Sequence, residues 1–126
     1  MPDPSPAATG ELSAEDGKLM TLARGARLRA HAPRSGAAEG AAVRDADGRT
    51  YAAATVENAD TTLTTSALRG AVVAAASSGA RQFEAAVVVT AGLPSEADLA
   101  VLREFGVGVP VMLAGPDGTV RQTLVT

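Results

Sequence analysis

The sequence predicts an α/β fold, a three-layer α/β/α sandwich on a five-stranded mixed sheet, with elements in the order α-β-β-α-β-α-β-β. Three observations predict it. Helical stretches alternate with apolar runs of strand length. Asp47-Gly48 and Asp117-Gly118 each sit between two such runs, the pattern of an antiparallel hairpin. The run Ala85-Ala86-Val87-Val88-Val89 is apolar without interruption, which suits a strand buried on both faces.

In chain order, residues 1–12 carry Pro2, Pro4 and Pro6 among small residues. They read as a disordered lead, without the apolar run of a signal peptide. Ser13 and Asp16 form a capping pattern. Behind it Leu19, Met20, Leu22, Ala23, Ala26 and Leu28 fall at helical spacing, so a first helix is expected to about Ala30. His31 to Gly40, with Pro33 and Gly36, reads as a loop. Strands over 40–46 and 49–56 flank Asp47-Gly48, and a second loop covers 57–64. Thr65 to Gly79 reads as a helix of small residues, capped by Thr64 or Thr65 and stopped by Gly79. Phe83 to Ala91 holds the central strand. Pro94 and Ser95 open a third helix, with Ser95 and Asp98 as a second capping pair and Gly106 at its end. Strands over 109–114 and 119–125 flank Pro116-Asp117-Gly118 and are expected to pair antiparallel. Residues 13–126 are expected to form a single domain.

Composition excludes several functions. The 126 residues carry a net charge of −3, no Cys, no Trp, one His and 2% aromatic residues. A mildly acidic chain argues against a nucleic-acid or anionic-membrane surface. No run approaches the roughly 20 apolar residues of a membrane span, so a cytoplasmic protein is expected. Without Cys there is no disulfide, thiolate nucleophile or cysteine metal site. One His cannot form a His cluster, and a catalytic zinc takes three protein ligands. No metal and no cofactor is expected. Apolar residues make up 46% of the chain, mostly Ala and Val. Small side chains bury little area each, at about 25 cal/mol per Å². Close backbone packing and burial against a partner chain are therefore useful.

Four motifs narrow the fold. They are Ala32-Pro33-Arg34-Ser35, Gly40-Ala41-Ala42-Val43, Asp47-Gly48-Arg49-Thr50-Tyr51 and Val56-Glu57-Asn58-Ala59. Together they resemble the cytidine deaminase family, which reads A-P-Y-S-x-F-x-V-G-A-A, then D-G-x-x-Y, then C-N-[VI]-E-N-A. That family continues with C-A-E-R-x-A and P-C-G-x-C on two helices. Ser66-Ala67-Leu68-Arg69-Gly70-Ala71 stands at the first of these positions and Pro94-Ser95-Glu96-Ala97-Asp98 at the second. The resemblance runs from about Lys18 to the C-terminus and implies a dimer or tetramer. It also implies a zinc-activated water and a proton-shuttling Glu. Here the three ligand positions hold Ser66, Ser95 and Asp98, and the Glu position holds Leu68. A Ser hydroxyl is a poor zinc ligand and Leu68 cannot accept a proton.

The nucleoside-binding positions are altered as well. The resemblance places Thr55 and Glu57 where Asn and Glu hold the ribose, so only the Glu remains. Arg34 and Ala37 stand where the family has Tyr and Phe. The family's aromatic C-terminal segment would begin beyond Thr126. The resemblance implies that the ligand positions sit at the N-termini of two helices facing the metal, so that without it Ser66 and Ser95 would stand there as good caps. Arg69 is expected to pair with Asp98, with Leu68 filling the former water pocket.

The remaining candidates have simpler readings. His31 reads as solvated, and Asp45, Asp47 and Asp117 read as turn residues. Ser66 as a nucleophile lacks a base. Glu57 either binds a hydroxyl-bearing ligand or satisfies loop amides. The Ala-rich stretch 65–79 reads as close packing within or between subunits. A catalytically inactive member is expected, acting as an oligomeric scaffold or interaction module, a homodimer or homotetramer with scope for another protein partner. The alternatives are a nucleoside- or nucleotide-binding protein that uses Glu57 and loop amides, and a divergent hydrolase of the deaminase type.

Overall fold

The computed structural model describes residues 12–126. The lead expected over 1–12 therefore falls outside the described residues except for Leu12, which packs against one side of the core. Helix α1 spans Ala14–Arg27, and the Ser13 hydroxyl accepts from the Asp16 amide (3.1 Å), as the capping pattern predicts. It stops three residues short of the expected Ala30. The amides of Leu28, Arg29 and Ala30 tighten onto carbonyls three residues back, and the His31 amide then donates to the Thr55 carbonyl (2.9 Å). That long-range bond draws the chain off the helix.

Strands β1 (Gly40–Asp45) and β2 (Thr50–Ala54) form the Asp47-Gly48 hairpin. Gly48 takes a φ of +86°, a conformation that favours Gly. Buried Asp45 ties the turn, its Oδ1 accepting from the amides of Asp47 and Arg49 (both 2.9 Å). A short 3₁₀ turn (Thr61–Leu63) precedes α2 (Ala67–Ser77). The cap of α2 is Ser66 rather than Thr64 or Thr65. Thr65 is held extended by two backbone bonds to Val56 (both 3.0 Å), so the helix cannot begin until the residue after it. Strand β3 (Phe83–Val89) leads to α3 (Glu96–Arg103), β4 (Pro110–Ala114) and β5 (Val120–Val125).

The sheet order is β2-β1-β3-β4-β5. Strand β3 is central, antiparallel to β1 and parallel to β4, while β4 and β5 pair antiparallel. On one face α1 contributes Leu19, Met20 and Ala23 against Ala42, Val87 and Met112. On the other, α2 and α3 contribute Leu68, Val72 and Leu102 against Val43, Val88 and Leu113. The three expected layers are present. Strands β2 and β3 both end beside Gly40, so α2 and α3 both begin from that edge of the sheet.

Gly40 also sets how closely α1 approaches. A Cβ there would lie 2.1 Å from the Ala23 carbonyl oxygen and 2.4 Å from the Arg27 nitrogen, both helix backbone. Gly40→Ala is expected to destabilise the fold by about 3 kcal/mol, because neither the helix nor the strand can yield locally. Chemical denaturation checks this; an unchanged midpoint would show that the close approach is not obligatory.

Candidate functional site

The site lies where the first turns of α2 and α3 meet. Each helix leaves amides there without intrahelical partners, together with partial positive charge. Ser66 caps α2, its Oγ accepting from the Arg69 amide (3.2 Å). Ser95 caps α3, accepting from the Asp98 amide (3.1 Å). Asp98 sits in the first turn of α3, buried at 7% exposure, where a carboxylate complements the helix dipole.

Asp98 Oδ1 links the two helices. It accepts from the Ser66 hydroxyl (2.8 Å) and from Arg69 Nη2 (3.3 Å). A hydrogen bond to a charged group contributes about 1.5–3 kcal/mol. The Arg69 side chain is partly exposed, so solvent screens its share of the pairing. Leu68, between Ser66 and Arg69 in sequence, is buried at 1% exposure in the apolar core that also contains Leu102. The structure thus brings Ser66, Ser95, Asp98 and Arg69 into one hydrogen-bonded group, with Leu68 buried in the apolar core.

Glu57 belongs to a separate group. Its Oε1 accepts from the amides of Arg34 (2.9 Å) and Ser35 (3.3 Å), and its Oε2 accepts from the Ser35 amide (3.2 Å) and the Ser35 hydroxyl. Both oxygens hold the loop over residues 31–37 in place. Thr55, Arg34 and Ala37 supply no polar side-chain contact to Glu57. Thr55 is buried and its hydroxyl faces the Glu39 carbonyl (3.5 Å), while Arg34 and Ala37 are exposed. His31 is exposed. Asp117 accepts from the Thr119 amide (2.9 Å) in the β4–β5 turn, and Asp47 pairs with Arg49 on the surface.

Sequence reasoning gave no role to Glu39, Thr90 or Arg121. Thr90, 1% exposed, donates from its hydroxyl to Glu39 and accepts from the Gly92 amide (3.0 Å). Arg121 on β5 donates to the carbonyls of Thr90 and Gly92. These contacts fix the segment leading from β3 into α3, beside a cavity of about 170 Å³ lined by Arg27, Ala37, Glu39 and Thr90. A polar residue closing an apolar strand was the one signal available for Thr90.

The sequence model of cytidine deaminase-like proteins matches residues 12–118. The chain belongs to that family. Cytidine deaminase from Burkholderia pseudomallei is 31% identical, with a TM-score of 0.81 over 90% of this chain and 93% of its own. The Mycobacterium leprae cytidine deaminase is 27% identical, with a TM-score of 0.74 over 88% and 94%. The Mycobacterium tuberculosis enzyme is 28% identical, with a TM-score of 0.72 over 87% and 91%. The five-stranded mixed sheet and its three helices are those of this cytidine deaminase-like fold.

The donors at the paired helix starts do not fit the zinc that the family resemblance implies. Two are neutral hydroxyls, and the one carboxylate already accepts from Ser66 and from a guanidinium. Among the described residues no three His, Asp or Glu side chains form a group that could hold a metal, and no helix is long and apolar enough to cross a membrane.

The hydrogen bonds to Glu57 hold its carboxyl below the ordinary range, the Ser35 hydroxyl first and the Arg34 amide next. A carboxyl lowered on folding adds stability above its unfolded pKa of about 4.3. That stability is lost as pH falls through the lowered folded value. Glu57→Gln is therefore expected to lower the urea midpoint at neutral pH, with the gap to wild type closing as pH drops below about 4. A gap that stays constant with pH would exclude the charge as its source.

Proposed function

We propose that this chain is a catalytically silent member of the cytidine deaminase-like family that works as an oligomeric scaffold or interaction module. The observation that carries this reading is Leu68. It is buried in the core at the position where the resemblance puts the proton-shuttling Glu, and an alkyl side chain cannot carry a proton. The set Ser66, Ser95 and Asp98 supports the same reading, since its hydrogen bonds are made among the protein's own groups. Glu57 favours the scaffold over nucleoside binding, because both its oxygens are engaged by the loop at 34–35.

Two features support self-association. The helix faces and strands are packed with Ala and Val, so each chain buries modest apolar area for its size. Leu28 stands 80% exposed and Val107 78%, and Leu63, Leu93 and Val125 are also exposed. A closed homo-oligomer would cover such side chains.

Cytidine incubated with the protein and added zinc is expected to show no loss of absorbance from deamination; zinc-dependent turnover would overturn the catalytic part of this reading. Light scattering on the eluted protein is expected to give two or four times the 12.5 kDa chain mass. A single-chain mass at all concentrations would overturn the oligomeric part.

A further inference from the structure

We propose that Asp98 does the structural work of a metal, clasping the starts of α2 and α3 so that the fold stands without one. The inference deepens the reading above by giving the altered positions a positive role, and it rests on that reading for the identity of those positions.

The charge placement argues for a clasp. Arg69 lies in the first turn of α2, where a cation opposes the helix dipole. Its Nε is buried without a hydrogen-bond partner, a further cost of holding the side chain there. The dipole penalty is not met within α2. The group that offsets it comes from α3: Asp98 Oδ1, bonded to Arg69 Nη2 at 3.3 Å. The same oxygen accepts the Ser66 hydroxyl at 2.8 Å, so one atom holds both the cap and the first turn of α2. On the α3 side, Asp98 is held by Ser95 through its own amide and lies in the turn where its charge is favoured. Two helix starts that would repel each other are thus joined through one shared anion, with Ser66 and Ser95 satisfying an amide on each side.

This arrangement also disfavours a metal. A divalent ion at the junction would have one carboxylate and two neutral hydroxyls as its ligands, and those hydroxyls already cap the two helices.

The test uses the full chain, produced with zinc in the medium. Elemental analysis is expected to show no stoichiometric zinc, and a strong chelator is expected to leave the thermal midpoint unchanged. Asp98→Ala is expected to lower that midpoint by about 8 °C, since it leaves Arg69 and Ser66 without their shared acceptor. Asp98→Asn keeps the volume and one acceptor oxygen, so a smaller fall is expected, and this variant carries the test if Asp98→Ala does not fold. Stoichiometric zinc, a midpoint lowered by chelator, or an Asp98→Asn midpoint equal to wild type would each overturn the clasp. Failure here is separable from failure of the proposed function. A chelator-sensitive protein without deaminase turnover overturns the clasp alone. Turnover by a zinc-free, chelator-insensitive protein overturns only catalytic silence.

Discussion

Asp98 Oδ1, shared between the Ser66 hydroxyl and the Arg69 guanidinium, fixes how α2 and α3 sit relative to each other on one face of the sheet. The positions of Leu68, Val72 and Leu102 follow from that, because these side chains project from the two helices into a common core over β1, β3 and β4. If the two helix starts moved apart, the buried Asp98 would lose its donors and Leu68 its close-packed surroundings together. Polar and apolar contributions at this edge are therefore coupled, and an energy assigned to either alone would count part of the other.

The opposite face is governed by distance rather than charge. Helix α1 lies against Ala42, Ala85 and Gly40, where little side chain stands between helix and strand. Leu19 and Met20 are the large fully packed side chains that the helix itself contributes on this side. Arg24 then reaches across to the β4–β5 turn and donates to the Pro116 carbonyl (3.2 Å), so the helix is fastened at the far edge of the sheet as well as at β1.

What was legible in the sequence is what local chemistry decides. The Asp47-Gly48 and Pro116-Asp117-Gly118 turns, the Ser13 and Ser95 caps and the uninterrupted strand at 85–89 depend on residues a few positions apart, and all were readable. The pairing of Arg69 with Asp98 was also readable, because the family pattern placed two distant helix starts together. What could not be read depends on long-range backbone contacts. Helix α1 ends early because His31 bonds to Thr55, and α2 starts late because Thr65 bonds to Val56. Neither contact leaves a mark in residue type. The Glu39–Thr90 and Arg121 contacts were missed for the same reason: each joins segments that only the folded sheet brings together. For Glu57, residue type allowed either a ligand or a loop role, and only geometry showed its two oxygens turned to residues 34 and 35.

The strand order has a consequence for how the chain reaches this state. Strands β1 and β2 are neighbours in sequence and in space, as are β4 and β5, so each edge of the sheet is a local hairpin. Strand β3 alone makes only distant pairings, to β1 across the whole of α2 and to β4 across α3. The loop-closure entropy of folding therefore falls mainly on one strand. Its apolar run is at once the seam that joins two short-range halves and the segment most in need of early protection, since a bare Val-rich strand is the part of this chain best able to pair with another molecule.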